Sequence, residues 1–434
     1  MKQSVFRKVS LCVALLSVTI ASAGPLQAED RVLTLQQILA KARENNGELQ
    51  ALRWERGIIE AGRIRVGLRS NPVLDLEGAS GALTGSPEEN RISLGVSQEF
   101  LTGGKRARRL AVADSELDRF AARLKELERL ALLEVKLGFY DLQSAQARVD
   151  LAGKSSELSD QLLLVTRERL AAGDIAELEV NLAKVESARA AGSKFDAMAE
   201  VDSARLRLLA LMGGAAGEDF KIAAAAEPRP LALNLAELKA LALKNRADLQ
   251  LAQLDSAKGD AELLLAQADA IPNLTAGIGI SRESSLTSLG ALEEKETEYL
   301  VALTLSIPIP VFDKNQAGIK EARTRVSSSL NRRVLLSRSI ELEVEAAQAR
   351  FAASERSLRL YAREIMPQLN ENLKLLQEAY QLGEVGIAAV IEEQKKFQEV
   401  NEGYLLAVQQ RNSAFARLEA AVGMELSAMN GGMQ

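Results

Sequence analysis

Apolar positions along the chain change period, and the whole sequence of changes then repeats. From Leu35 to about Ala61 they recur at helical spacing. A capping box, Thr34 with Gln37, opens this helix, and Pro72 predicts its end near Asn71. The period then falls to two. Leu74, Leu76 and Gly78 alternate with Asp75, Glu77 and Ala79, and Ile92, Leu94 and Val96 alternate with Ser93, Gly95 and Ser97. This predicts strands at about 73–80 and 91–100, each with one apolar and one polar or small face. A long helical stretch follows, with no proline between Pro87 and Pro228. Lys105 to Ala171 reads as one helix of roughly 100 Å. Leu110, Ala113, Leu117, Phe120 and Leu124 form a coiled-coil seam on it. A second seam starts at Leu130, Leu133, Leu137 and Tyr140, which calls for packing partners on two sides. Gly173 ends the helix, and Ile175 to Met212 returns alongside it.

The second half repeats this plan. Leu35, Asn45, Leu49, Pro72 and Leu74 recur 200 residues later as Leu235, Asn245, Leu249, Pro272 and Leu274. Gly173 and Gly213 recur 210 residues later as Gly383 and Gly423. A constant offset is the mark of a tandem duplication. The predicted units are a first repeat at 29–213, a linker at 214–232, a second repeat at 233–424 and a tail at 425–434. In the second repeat, Asn234 with Glu237 opens a helix to Ile271, strands fall at about 273–281 and 298–307, and a hairpin covers 316–422. The polar segments Leu83 to Asn90 and Glu283 to Thr297 are predicted as loops.

Strands of about ten residues have the length that a tilted strand needs to cross a bilayer. The candidate lipid-facing positions are Leu74, Leu76, Ile92, Leu94, Val96, Leu274, Ile278, Ile280, Tyr299, Val301, Leu303 and Leu305. The same alternation also fits a soluble antiparallel sheet lying on a core. Four strands cannot close a barrel, so if they span a membrane several copies must share one.

Composition narrows the chemistry. The chain has 434 residues, 4% aromatics and no histidine, so the commonest acid/base group and zinc ligand is missing. Lys2, Arg7 and Lys8 precede the apolar stretch Val9 to Ala21, and two small-residue cleavage sites follow, Ala21-Ser22-Ala23 and Leu26-Gln27-Ala28. Residues 1–28 are expected to be a cleaved signal peptide; an uncleaved anchor is the alternative. Cleavage would remove Cys12, the sole cysteine, and take the formal net charge from −5 to −8. Such an acidic exported chain does not suit nucleic acid. No nucleophile elbow, phosphate loop or metal-spaced cluster is present, so no enzyme activity and no cofactor are expected.

Taken together, the duplicated helix–strand–strand–helix–helix plan resembles the TolC family of outer-membrane factors over about Leu33 to Gly423. Ala42-Arg-Glu-Asn45, Ser97-Gln-Glu-Phe-Leu-Thr-Gly-Gly-Lys-Arg106, Ser306-Ile-Pro-Ile-Pro-Val-Phe-Asp-Lys-Asn-Gln316, Arg169-Leu-Ala-Ala-Gly173 and Tyr380-Gln-Leu-Gly383 carry the likeness. The resemblance implies a mainly α chain with a membrane β-barrel portion. It also implies a homotrimer with a 12-stranded barrel and a helical coiled-coil tube in the periplasm. Partners would be a periplasmic adaptor and an inner-membrane pump, expected to be of the resistance-nodulation-division type. Gly103-Gly-Lys-Arg106 and Phe312-Asp-Lys-Asn-Gln316 are similar to the cobalt–zinc–cadmium efflux branch. A duct for drugs or for secreted polypeptides would share the fold, and a soluble periplasmic coiled-coil scaffold is the alternative of another class.

The resemblance also points to residues. The hairpin tips, Arg169, Gly173 and Asp174 with Tyr380, Gly383, Glu384 and Val385, would meet the adaptor. Each tip glycine would also serve as a helix C-cap. Glu392 falls on an acidic position where the family narrows its periplasmic entrance, with Glu393 beside it, although Ala389 replaces another such acid. Both glutamates also fit the solvated face of a coiled coil. Pro367 is expected to kink the outgoing helix of the second hairpin; the first repeat has Glu157 there.

Overall fold

Where one helix was expected ahead of the first pair of strands, the chain builds two. The computed structural model describes residues 32–215, 217–223, 233–289 and 292–426. The expected signal peptide, most of the tail and part of the linker lie outside these residues. After a short strand β1 (Val32–Leu33), α1 (Leu35–Asn45) and α2 (Gly47–Gly67) meet at Asn46. The Asn46 carboxamide oxygen accepts from the Glu48 and Leu49 amides, and its nitrogen donates to the Leu211 carbonyl at 2.9 Å. The junction therefore satisfies the open donors of a new helix start.

β2 (Val73–Ser80) and β3 (Asn90–Phe100) follow, then α3 (Lys105–Ala172), a single helix of 68 residues, and α4 (Glu177–Met212). In the segment between the repeats β4 (Lys221–Ile222) pairs in parallel with β1, and the second repeat follows. It begins with α5 (Leu235–Asn245) and α6 (Ala247–Asp269), broken at Arg246. β5 (Leu274–Leu289) and β6 (Leu292–Ser306) run well past their expected ends. Apart from 290–291, which lie outside the described residues, the segment Glu283 to Thr297 is thus strand rather than loop. The ladder continues in register through it, and the Ser284 and Thr297 hydroxyls meet at 3.2 Å across the pair. α7 (Gln316–Leu360) and α8 (Met366–Gln381) go out, separated by a π turn at Tyr361–Ile365, and α9 (Ile387–Val422) returns.

Both capping boxes read from the sequence are formed, Thr34 with Gln37 and Asn234 with Glu237. The two repeats contribute to one antiparallel sheet in the order β2-β3-β5-β6, which leaves β2 and β6 as its edges.

The core lies where α1 and α5 cross the long helices. Ile38, Leu39 and Ala42 pack on Val135, Phe139 and Leu208. In the same way Leu238 and Ala242 pack on Ile340, Val344, Phe415 and Leu418. Each fully buried branched side chain stabilises this crossing by about 2 kcal/mol. Polar bonds tie the repeats together here. Lys136 of α3 reaches Glu419 of α9 at 2.7 Å. Burial beside Glu419 pushes the Tyr140 phenol up to about 12, against an opposing contribution from Arg411.

Candidate functional site

At the far end of the long helices the two hairpin turns lie against each other. Gly173 and Gly383 take left-handed backbone, with φ of 81° and 79°. Each closes its helix with paired amide bonds: Gly173 to Leu170 and Asp174 to Arg169, then Gly383 to Tyr380 and Glu384 to Ala379. The Arg169 guanidinium lies 4.9 Å from the centre of the Tyr380 ring and donates to the Tyr380 carbonyl at 3.0 Å. Tyr380 is only 2% exposed and is packed with Leu162, Ala183, Ile387 and Val390. Burial raises its phenol pKa, Glu179 adds to the rise, and Arg169 opposes it. Asp174 and Glu384 are exposed and Val385 is half-buried. Leu178 and Leu382 stand exposed beside them, so the end of the molecule presents carboxylates and apolar side chains together.

The acidic pair beyond the second turn is divided. Glu392 is exposed, whereas Glu393 is 8% exposed and 3.9 Å from Lys396. Successive helical residues point about 100° apart, so one helix face cannot present both.

Pro367 stands in the first turn of α8, directly after the π turn. Proline has no N–H and its ring crowds the carbonyl one turn earlier, which favours such a local widening. On α9, a Cβ at Gly403 would lie 2.6 Å from the Tyr361 hydroxyl, so this glycine makes room for the widened turn. Sequence reading did not single out Gly403, because nothing local marks it.

The sheet has two unlike faces. One carries Leu74, Leu76, Ile92, Leu94, Val96, Ile278, Ile280, Tyr299, Val301, Leu303 and Leu305, all exposed, with Leu274 half-buried at its base. Among the described residues no helix covers it. A contiguous apolar surface of this extent marks an interaction surface. The other face carries Asp75, Glu77, Ser93, Ser97, Ser281, Glu283, Glu298 and Thr304. Arg91 donates to Glu283 at 2.6 Å on this face, and Ser97 to Asp75 at 2.9 Å. Among the described residues no helix is long and apolar enough to cross a membrane, and no cluster of three metal-ligating side chains occurs.

A family model described as outer membrane efflux protein matches residues 38–214 and again 238–424. The chain belongs to the outer membrane efflux protein family. The two matched stretches coincide with the two copies of the repeat. Among curated relatives of this efflux protein is the cobalt-zinc-cadmium resistance protein CzcC of Cupriavidus metallidurans, 23% identical over 93% of this chain and 91% of the relative. The nickel-cobalt-cadmium resistance protein NccC of Alcaligenes xylosoxydans xylosoxydans is 25% identical over 77% and 72%. Among solved structures, CusC superposes with a TM-score of 0.73 at 19% identity, over 90% of this chain and 92% of that one. The open-state MtrE outer membrane channel of Neisseria gonorrhoeae superposes with a TM-score of 0.70 at 17% identity, over 98% of both chains.

Proposed function

We propose that this chain is the outer-membrane channel subunit of a tripartite efflux system, exporting divalent heavy-metal cations. In this reading it is exported by a cleaved signal peptide and joins a periplasmic adaptor at the hairpin tips. An inner-membrane pump of the resistance-nodulation-division type supplies the energy. The observation that carries the reading is the exposed apolar sheet face. Such a face suits an outer-membrane barrel wall better than a soluble scaffold, which would cover it.

Three copies closing one 12-stranded barrel would pair the open edges β2 and β6 between neighbours. Stripes left open on one chain support this assembly. Trp54, 83% exposed, and Ile58 stand on α2 below one sheet edge, while Leu335 and Leu342 stand on α7 below the other. Helix–helix contact between copies would bury both stripes.

The polar sheet face supports cations as the cargo. Register puts Glu294 and Glu296 on the same face as Asp75, Glu77, Glu283 and Glu298, against the single base Arg91. Three copies would line the exit with carboxylates, raising local cation concentration and opposing anions. Metal resistance in the names of CzcC and NccC agrees with this cargo. In this reading the channel conducts passively and the pump selects the ion.

The test is a susceptibility panel on a strain lacking this gene, with and without complementation. Selective sensitivity to zinc, cobalt, cadmium or nickel is expected. Sensitivity to drugs and detergents alone would overturn the metal cargo while leaving the channel reading intact.

A further inference from the structure

On the apolar sheet face, in the rows from Leu74 up to Thr297, one charged residue breaks the pattern. Arg282 of β5 lies directly opposite Tyr299 of β6 and Ile92 of β3. Its side chain is exposed and forms no ion pair among the described residues. No carboxylate shares this face in the rows from Leu74 up to Thr297. Glu283, the adjacent acid, points the other way and is bound by Arg91. Below Arg282 runs an open groove of about 330 Å³, walled by Ile92, Leu94, Ile280, Tyr299 and Val301. An apolar groove with a guanidinium and a tyrosine at one end has the chemistry of an amphiphile's site: hydrocarbon below, anion above.

Position selects the amphiphile. Arg282 is eight residues from Leu274, which sits at the helical end of the sheet. Eight residues of strand tilted by about 40° rise roughly 20 Å, close to the height of a barrel's apolar band. Arg282 therefore lies at the band's edge away from the helices. If the helices are periplasmic, that edge is the outer leaflet. Tyrosine is also the residue that favours such an interface.

We propose that Arg282 and Tyr299 bind the phosphate headgroup of an outer-leaflet glycolipid, with an acyl chain lying in the groove below. The proposal rests on the membrane-barrel reading and adds a lipid site, one per chain, that efflux itself does not require. The guanidinium forms charge-assisted hydrogen bonds to phosphate, and the groove fixes the chain beneath it.

The experiment uses the purified protein in detergent, titrated with lipid A and followed by native mass spectrometry. One lipid A per chain is expected. Arg282→Ala should weaken binding about tenfold, as loss of a charge-assisted bond implies. Arg282→Lys should restore part of it, and dephosphorylated lipid A should bind the wild type as weakly as lipid A binds Arg282→Ala. Undiminished binding by Arg282→Ala would overturn the site, and phosphatidylglycerol binding as tightly as lipid A would overturn the glycolipid as its occupant. The variant should still fractionate with outer membranes and conduct ions in planar bilayers. A wild-type protein that fails to enter membranes would overturn the barrel reading and this site with it, whereas loss of lipid binding in a conducting protein concerns the site alone.

Discussion

At Asn46 the first repeat holds its helix junction with neutral hydrogen bonds, whereas at Arg246 the second holds the same junction with a guanidinium. Both junctions rest on the end of the returning helix of their own repeat. Asn46 donates to the Leu211 carbonyl, and Arg246 to the Ala421 carbonyl at 3.2 Å. Arg246 is also clasped by Asp248 at 2.6 Å and Glu343 at 2.7 Å, and its side chain is 5% exposed. Duplication kept the geometry and let the chemistry diverge. The neutral junction carries a modest penalty if cut; the charged one leaves buried ions behind if half of it is removed.

The glycines beneath the junctions should give the largest difference. A Cβ at Gly213 would lie 2.0 Å from the Asn45 carbonyl oxygen, while one at Gly423 would lie 3.2 Å from Arg246 backbone atoms. Both glycines have left-handed backbone, with φ of 70° and 79°. Gly213→Ala is expected to cost about 4 kcal/mol and Gly423→Ala about 2 kcal/mol. Urea unfolding of the detergent-solubilised protein, followed by far-UV circular dichroism, measures both. Equal costs would mean that backbone conformation, not the contact with α1, sets the requirement.

Cutting the junctions themselves comes next. Arg246→Ala strands the Asp248 carboxylate and should cost about 3 kcal/mol. Asn46→Ala removes a helix cap and one buried bond and should cost about 1.5 kcal/mol. Reversal of that order in the same unfolding assay would break the comparison.

The charged junction should also respond to acid. Burial pushes the Asp248 carboxyl up, but hydrogen bonds and charge from Arg246 outweigh this and leave it below the usual carboxylate range. A carboxyl lowered in the folded state contributes stability that is present above its unfolded value of about 3.9 and is lost as pH falls through the lowered one. Stability should therefore drop below about pH 4, and Asp248→Asn should flatten part of that drop. Asn46 bonds backbone groups only, so Asn46→Ala should leave the slope as it is.

Only the second hairpin carries the π turn, and here the smallest change in stability is expected. Pro367→Ala should shift stability by less than about 1 kcal/mol, because the turn is exposed and Gly403 still accommodates Tyr361. Its effect should appear instead in single-channel conductance in planar bilayers. Unchanged conductance would make the proline a purely structural feature.

These contrasts also explain what the sequence revealed. Capping boxes and turn glycines could be read because they depend on residues three or four apart, as at Thr34 with Gln37. Alternation marked the strand faces for the same reason. The break at Asn46 was missed because its partner, Leu211, lies 165 residues away. The extension of β5 and β6 was hidden by acidic residues that look like loop, although Glu283, Glu294, Glu296 and Glu298 sit on the polar face of a sheet. At the tips, the residues were readable, but the stacking of Arg169 on Tyr380 joins two hairpins and follows from tertiary packing alone.

The central claim is that β2 of one copy pairs with β6 of the next until three copies close. The mature chain is expected to contain no cysteine, so introduced thiols report on this directly. Leu76→Cys would be combined in turn with Val301→Cys, Leu303→Cys and Leu305→Cys, oxidised in outer membranes and run on denaturing gels. One pairing is expected to give a covalent ladder ending at three chains. A ladder that runs past three, or no cross-link from any pairing in protein recovered from the outer membrane, would contradict it.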